Sequence, residues 1–164
     1  MAEKTNIGWA DSTWNPWIGC TKVGPGCDHC YAEKSTPART LAVVWGPKAE
    51  RHRTSPGNWA LPLRWNKKEF YKCGACGTRG EGTPYMEFGP NGGAGDHGDE
   101  CTACRSRDME PVRRRVFCAS LADVFDNQVP VQWRIELMRL ILDTPHLDWL
   151  LVTKRIGNAT EMLD

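Results

Sequence analysis

Seven cysteines in metal-like spacings constrain this chain more than any other feature. Cys20, Cys27 and Cys30 stand together near the N-terminus, and two pairs, Cys73/Cys76 and Cys101/Cys104, follow. Thiols that converge on a common ion fix the loops that carry them, because binding energy and folding energy are then one quantity. In a secreted chain an even cysteine count suggests disulfides, whereas in a reducing compartment repeated Cys-x-x-Cys spacing points to metal. The N-terminal stretch Met1-Ala2-Glu3-Lys4-Thr5-Asn6 is polar and carries no apolar signal core. No apolar run approaches the roughly 18 residues that span a bilayer. The expectation is a soluble cytoplasmic protein, without membrane association, whose paired cysteines bind metal.

The eighth cysteine, Cys118, lies in the apolar stretch Val116-Phe117-Cys118-Ala119 and reads as a small buried hydrophobe. The 164 residues suit one domain, or one domain with a small insert. Net charge is +1, from 21 basic and 20 acidic residues, so overall charge gives no reason to expect a nucleic acid or a membrane surface.

Composition divides the chain into three parts. Residues 1–66 carry the first cysteine group and much of the tryptophan: Trp9, Trp14, Trp17, Trp45, Trp59 and Trp65. Residues 67–110 are rich in glycine and charge, carry the other paired cysteines, and show neither helical nor strand periodicity, which reads as an insert ordered by ligation. Residues 111–164 read as α/β structure. A buried strand is expected over 115–120, an amphipathic helix over 131–142 after Pro130, and a second strand over 147–153. Continuously apolar strands separated by a helix predict a parallel sheet covered on both faces. An earlier helix is expected over 32–42, interrupted by Pro37.

Within the insert, Cys73-Gly74-Ala75-Cys76 and Cys101-Thr102-Ala103-Cys104 are separated by 24 residues. Small residues inside each knuckle allow tight turns that aim both thiolates at one ion, and four thiolates suit tetrahedral Zn²⁺ in a closed structural site. His97 is a spare ligand candidate, more naturally a loop residue. A pair of redox-active dithiols is the competing reading, and the glycine-rich context lacks the surroundings of a thioredoxin-like site. Lys67, Lys68, Lys72, Arg79, Arg105 and Arg107 give the insert a local basic character that fits either a gripped partner or a solvated surface.

At the first cysteine group the sequence resembles a known family. Trp14-Asn15-Pro16, Gly19-Cys20-Thr21 and Cys27-Asp28-His29-Cys30-Tyr31-Ala32-Glu33 look like the opening of the phage gene-product thirty-seven/sixty-eight family of phage and prophage proteins. Ser120-Leu121-Ala122-Asp123-Val124-Phe125 and Leu151-Val152-Thr153-Lys154-Arg155 resemble the same family. That family resembles in turn the radical S-adenosylmethionine (SAM) superfamily, in its spore photoproduct lyase branch. The superfamily signature is Cys-x3-Cys-x2-Cys with an aromatic residue before the last cysteine. Here the first gap is six residues and His29 takes the aromatic place.

The resemblance implies an α/β fold of partial (β/α) barrel type with a small four-cysteine, zinc-ribbon-like insert. It implies that Cys20, Cys27 and Cys30 ligate a [4Fe–4S] cluster whose fourth iron binds SAM, and that one electron then cleaves the SAM carbon–sulfur bond to give a radical that acts on substrate. A reductant protein would supply the electron, and the substrate, unknown, would include nucleic acid as a candidate. Ligands in parallel α/β folds lie at the carboxyl ends of strands. Ser120, Asp123, Thr153 and Lys154 are the candidates there for SAM contacts. Each has a plainer reading: Ser120 satisfying a loop, Asp123 capping a turn, Lys154 and Arg155 opening a helix. Tyr31 could pack on the cluster, on adenine or into the core. A full barrel needs about 200 residues, so roughly three βα units fit, with the remainder expected in a missing C-terminal part or a partner chain. The competing reading of the whole is a non-catalytic module, stapled by zinc at both cysteine groups, that binds nucleic acid or protein.

Overall fold

The computed structural model describes residues 3–81 and 100–163; His97, the spare ligand candidate, lies outside them. In chain order the strands are β1 (Ser12–Trp14), β2 (Trp17–Ile18), β3 (His52–Arg53), β4 (Phe70–Cys73), β5 (Arg79–Glu81), β6 (Met109–Pro111), β7 (Arg114–Cys118) and β8 (Leu147–Leu151). The α-helices are α1 (Thr36–Thr40), α2 (Pro56–Trp59), α3 (Leu61–Trp65), α4 (Val131–Leu142) and α5 (Ile156–Leu163). None of the described helices is long and apolar enough to cross a membrane.

The described residues form a small mixed α/β protein built on three sheets. The main one is parallel, in the order β1-β7-β8, with Trp14 opposite Cys118 and Cys118 opposite Leu151. Trp17 and Ile18 pair antiparallel with Arg53 and His52 in a second sheet. The third is the antiparallel ribbon β5-β4-β6. The described residues form no closed barrel, so the barrel expectation reduces to an open three-stranded parallel sheet.

The α4 helix spans the residues that periodicity predicts, but its inward face differs in detail. Leu137 and Leu140 are buried, while Ile135 and Leu142 face solvent. Arg134 is buried in their company because its guanidinium donates to the carbonyls of Val124 and Asp126, both at 3.2 Å. The strand expected over 115–120 ends at Cys118, since Ala119 takes a left-handed φ of 59° and turns the chain. The strand expected over 147–153 ends at Leu151. The helix expected over 32–42 shrinks to Thr36–Thr40: Pro37 sits in its first turn, where a missing N–H costs nothing, and Ser35 Oγ caps the amide of Ala38 at 3.3 Å.

Tryptophan dominates the core. Trp14 and Trp17 are fully buried, and Trp14 meets Trp59 and Trp149 edge-on, each at 5.4 Å between ring centroids. A buried indole removes on the order of 150–250 Å² from water, about 4–6 kcal/mol of gross stabilisation. Trp14 Nε1 donates to Asn58 O at 2.9 Å, so the indole polar atom is satisfied as well. Cys118 is fully buried in this cluster, and burial pushes its thiol well up, in keeping with a hydrophobic role.

β7 is buried along most of its length, and so is the edge strand β1 at Ser12 and Trp14, whereas β8, the other edge strand, stays half-buried from Asp148 onward. Full covering of both faces therefore holds for the central strand and not for β8.

Candidate metal centres

The described residues of the glycine-rich segment, 67–81 and 100–110, have regular structure that the sequence conceals. β4 pairs with β5 on one side and β6 on the other, setting Lys72 opposite Arg79 and Cys73 opposite Met109. Strands this short carry too little alternation to register as a period. The ribbon's two cysteine knuckles repeat one backbone design. The amide of Cys73 donates to Thr78 O and that of Gly77 to Cys73 O, both at 2.8 Å. The amide of Cys101 donates to Ser106 O and that of Arg105 to Cys101 O, again at 2.8 Å. Each knuckle needs a left-handed residue just after its second cysteine: Gly77 at φ 75° and Arg105 at φ 60°. Glycine adopts that conformation without strain.

The four thiols of these knuckles converge. All four sulfurs lie within 4.8 Å of one another, with Cys73–Cys104 and Cys76–Cys101 separations of 3.6 Å. A tetrahedron with metal–sulfur arms of about 2.3 Å has edges of about 3.8 Å. The sulfurs are thus already near the positions a tetrahedral ion requires, and they are free thiols. Their electrostatics are uneven in the way crowded thiolates are. The hydroxyl and amide of Thr78 hold Cys76 down to about 6. The Ser106 amide favours the Cys104 thiolate, but the neighbouring thiols outweigh it and push Cys104 up to about 12. A cation at the centre would relieve that repulsion. This cysteine cluster could hold a metal ion such as zinc.

The ribbon is docked on the amino end of the parallel sheet. Asp11, just before β1, accepts from Arg79 Nε at 2.9 Å and Nη2 at 3.0 Å, and from the Arg115 amide of β7 at 2.8 Å. Burial opposes the ionisation of Asp11, but the Arg79 and Arg115 guanidinium groups outweigh it and hold the carboxyl below its usual range. Arg114 reaches Glu81 and lies over the rings of Phe70 and Trp65, at 4.9 and 5.2 Å. The basic residues named in the insert divide accordingly: Arg79 is spent on Asp11, Lys68 on Glu3 and Glu81, and Lys72 on Glu110.

The first cysteine group occupies the other end of that sheet. Cys20, Cys27 and Cys30 all line one cavity of about 430 Å³, with Thr21, Lys22, Glu33, Trp45, Gly46 and Pro47 as its remaining walls. The 3-10 turn Pro25–Cys27 and the loop after it carry Cys27 and Cys30, and Gly19, at φ 112°, turns the chain into Cys20. Burial pushes the Cys20 thiol up against the opposing pull of Arg155. The Val23 backbone holds Cys27 below its usual range, with help from the charges of Lys154 and Arg155. Three free thiols sharing one cavity are a donor set that suits a soft metal, but among the described residues only the four cysteines of the ribbon lie close enough together to hold a single ion.

The strand-end candidates Ser120, Asp123, Thr153 and Lys154 lie outside the lining of this cavity, each already bonded. Asn15, one residue past β1, bridges to the end of β7: its side chain donates to Ser120 Oγ at 3.0 Å and accepts from the Leu121 amide at 2.7 Å. The Ser120 carbonyl accepts from Tyr31 Oη at 2.9 Å, which ties the residue after Cys30 to the same corner. Asp123 is buried and both its carboxylate oxygens are used: Oδ1 accepts from Thr153 Oγ1 at 2.8 Å, and Oδ2 from the Lys154 amide at 3.1 Å. Lys154 Nζ donates to Gly26 O at 2.7 Å and otherwise faces solvent.

Several residues of this corner carry no signal of burial in the sequence. Arg51, Asp126 and Arg155 form a buried charge network beneath Cys20 and Thr21. Arg51 pairs with Asp126 at 2.7 Å and donates to Thr21 Oγ1 at 2.7 Å, while Arg155 pairs with Asp123 at 3.3 Å. Arg155 also donates to the Cys20 sulfur at 3.3 Å and to Thr21 O at 2.6 Å. These residues are far apart in sequence, and single charged residues in loops have no periodicity to mark them as buried.

Fold and thiol geometry together define a small mixed α/β protein with a four-cysteine centre able to bind metal. The chain belongs to the family described as "Protein of unknown function (DUF5131)", whose model matches residues 4–164. Neither a curated protein nor a solved structure matches it.

Proposed function

We propose that this chain is a radical SAM-type iron–sulfur protein in which Cys20, Cys27 and Cys30 hold a [4Fe–4S] cluster and Cys73, Cys76, Cys101 and Cys104 hold a structural Zn²⁺. The observation that carries the reading is that Cys20, Cys27 and Cys30 line one cavity beside the carboxyl end of a parallel sheet, apart from the four-thiol centre at the amino end. With its own four sulfurs, the ribbon has no need of these three cysteines. Cys20, Cys27 and Cys30 would hold the cluster, which would supply one-electron reductive cleavage of a SAM carbon–sulfur bond.

The protein residues then have distinct tasks. Lys154, whose ammonium spends one of its three donors on Gly26 O, binds the SAM carboxylate. Asp123 and Thr153 shape this edge by clasping the turn that presents Lys154. Asn15 and Ser120 hold the ends of β1 and β7 in register beneath it. Tyr31, pinned to Ser120 O, ties the residue after Cys30 to the end of β7. An external reductant protein supplies the electron, and the substrate class proposed from the family resemblance is nucleic acid.

Anaerobic reconstitution with iron and sulfide tests this directly. The expected result is a brown protein with about four irons in addition to one zinc per chain, forming 5′-deoxyadenosine from SAM when reduced. A colourless protein with two zinc ions and no deoxyadenosine overturns the enzyme reading and leaves a metal-stapled binding module.

A further inference from the structure

Among the described buried charges, Arg155 bonds a cysteine sulfur. It follows Lys154 just past the end of β8 and is nearly sealed from solvent. Both terminal nitrogens of its guanidinium are bonded at one corner of the cysteine cavity. Nη1 donates to the Cys20 sulfur at 3.3 Å and to Asp123 Oδ2 at 3.3 Å, and Nη2 donates to Thr21 O at 2.6 Å and lies 3.8 Å from Asp126 Oδ1. Asp126 is held in turn by Arg51, whose other nitrogens bond Thr21 Oγ1, Gly46 O and Ala49 O. A planar fork of this kind fixes direction as well as charge, which an ammonium cannot do.

We infer that Arg155 is the positioning residue of the cysteine loop: it fastens the Cys20 sulfur and the Thr21 backbone to the end of β8 and sets the reduction potential of the centre that Cys20 ligates. The second half rests on the iron–sulfur reading above; the first does not. The physical basis is that hydrogen bonds to ligand sulfurs and nearby net charge govern the potential of a thiolate-bound cluster. A buried cation donating to one ligand sulfur stabilises the reduced, more negative state. The two aspartates facing Arg155, Asp123 and Asp126, are shared with the Thr153 and Lys154 turn and with Arg51, so they offset its charge only in part.

Two measurements on the full chain test this. In zinc-loaded, iron-free protein, amide hydrogen exchange over residues 19–30 should rise at least about tenfold in Arg155→Met, with the ribbon segments 70–81 and 100–111 unchanged. In reconstituted protein, Arg155→Met should lower the reduction equilibrium constant about tenfold, a negative shift of about 59 mV for one electron. Arg155→Lys, which keeps the charge and loses the fork, should shift less in the same direction, and it decides the matter if Arg155→Met fails to fold. A purely structural arginine would loosen the loop without moving the potential. An unchanged potential in folded variants overturns the tuning role, and unchanged exchange over 19–30 overturns the fastening. If the wild-type chain takes up no iron, the iron–sulfur reading fails, and the fastening stands or falls on the exchange result alone.

Discussion

The Arg51 guanidinium lies 2.7 Å from the Asp126 carboxylate, with both side chains essentially sealed from solvent. The pair joins the segment after the cysteine loop to the turn before α4, and it does so beneath Thr21. Removing one partner of a buried pair costs up to about 3–5 kcal/mol, and Arg155, 3.8 Å from Asp126, compensates part of the charge that loss of Arg51 would leave. Arg51→Met should therefore destabilise the protein by up to that amount in urea unfolding, while Arg51→Met combined with Asp126→Leu should recover part of the loss. A single variant losing under about 1 kcal/mol would show that the pair is dispensable.

Asp11 clamps the ribbon to the parallel sheet, and its folded-state carboxyl is held below the usual range by Arg79 and Arg115. A depressed carboxyl contributes stability that is full above its unfolded value, about 3.9, and is lost as pH falls through the folded value. Asp11→Asn should cost about 1.5–3 kcal/mol at neutral pH. It should also flatten the acid limb of a stability–pH curve below about pH 4. An acid limb identical to that of the wild type would place the titrating group elsewhere.

Gly77 closes the first knuckle at φ 75°. A side chain in this left-handed conformation costs about 1–2 kcal/mol, so Gly77→Ala should weaken zinc binding about five- to thirtyfold in chelator competition. Gly80→Ala is the control, since nothing lies near the added carbon and no left-handed backbone is required there. Equal affinities for the two variants would separate the knuckle geometry from metal binding.

Asn15 bridges the ends of β1 and β7. Its Oδ1 accepts from the Leu121 amide at 2.7 Å, and its own carbonyl accepts from Asn58 Nδ2 at 2.8 Å. Asn15→Ala strands a buried amide and should cost about 1–3 kcal/mol, read as a lowered urea midpoint with unchanged slope. A changed slope would indicate that the cysteine loop unfolds separately from the sheet.

The parts of the structure legible in the sequence are those set by period or spacing. α4 announces itself through apolar recurrence after Pro130, and β7 and β8 through unbroken apolar runs. The knuckles around Cys73 and Cys101 declare a common ion by spacing alone, and their sulfurs do converge. What stays hidden is either too short or too scattered to leave a pattern. β4, β5 and β6 run three or four residues each and are joined by backbone pairing that ignores side-chain identity. Arg51, Asp126 and Arg155 gather from distant loops, and a buried arginine reads in sequence like any surface charge. Asp123 and Thr153 are visible as strand-end polar residues, but only their geometry reveals that they bond each other.

The separateness of the two centres is tested most directly by metal analysis of Cys27→Ala after anaerobic reconstitution with iron, sulfide and zinc. The expected protein retains one zinc per chain on Cys73, Cys76, Cys101 and Cys104 and loses its iron and its brown colour. Loss of iron and zinc together, or iron retained at wild-type level, would contradict two independent sites with Cys27 as a ligand of one.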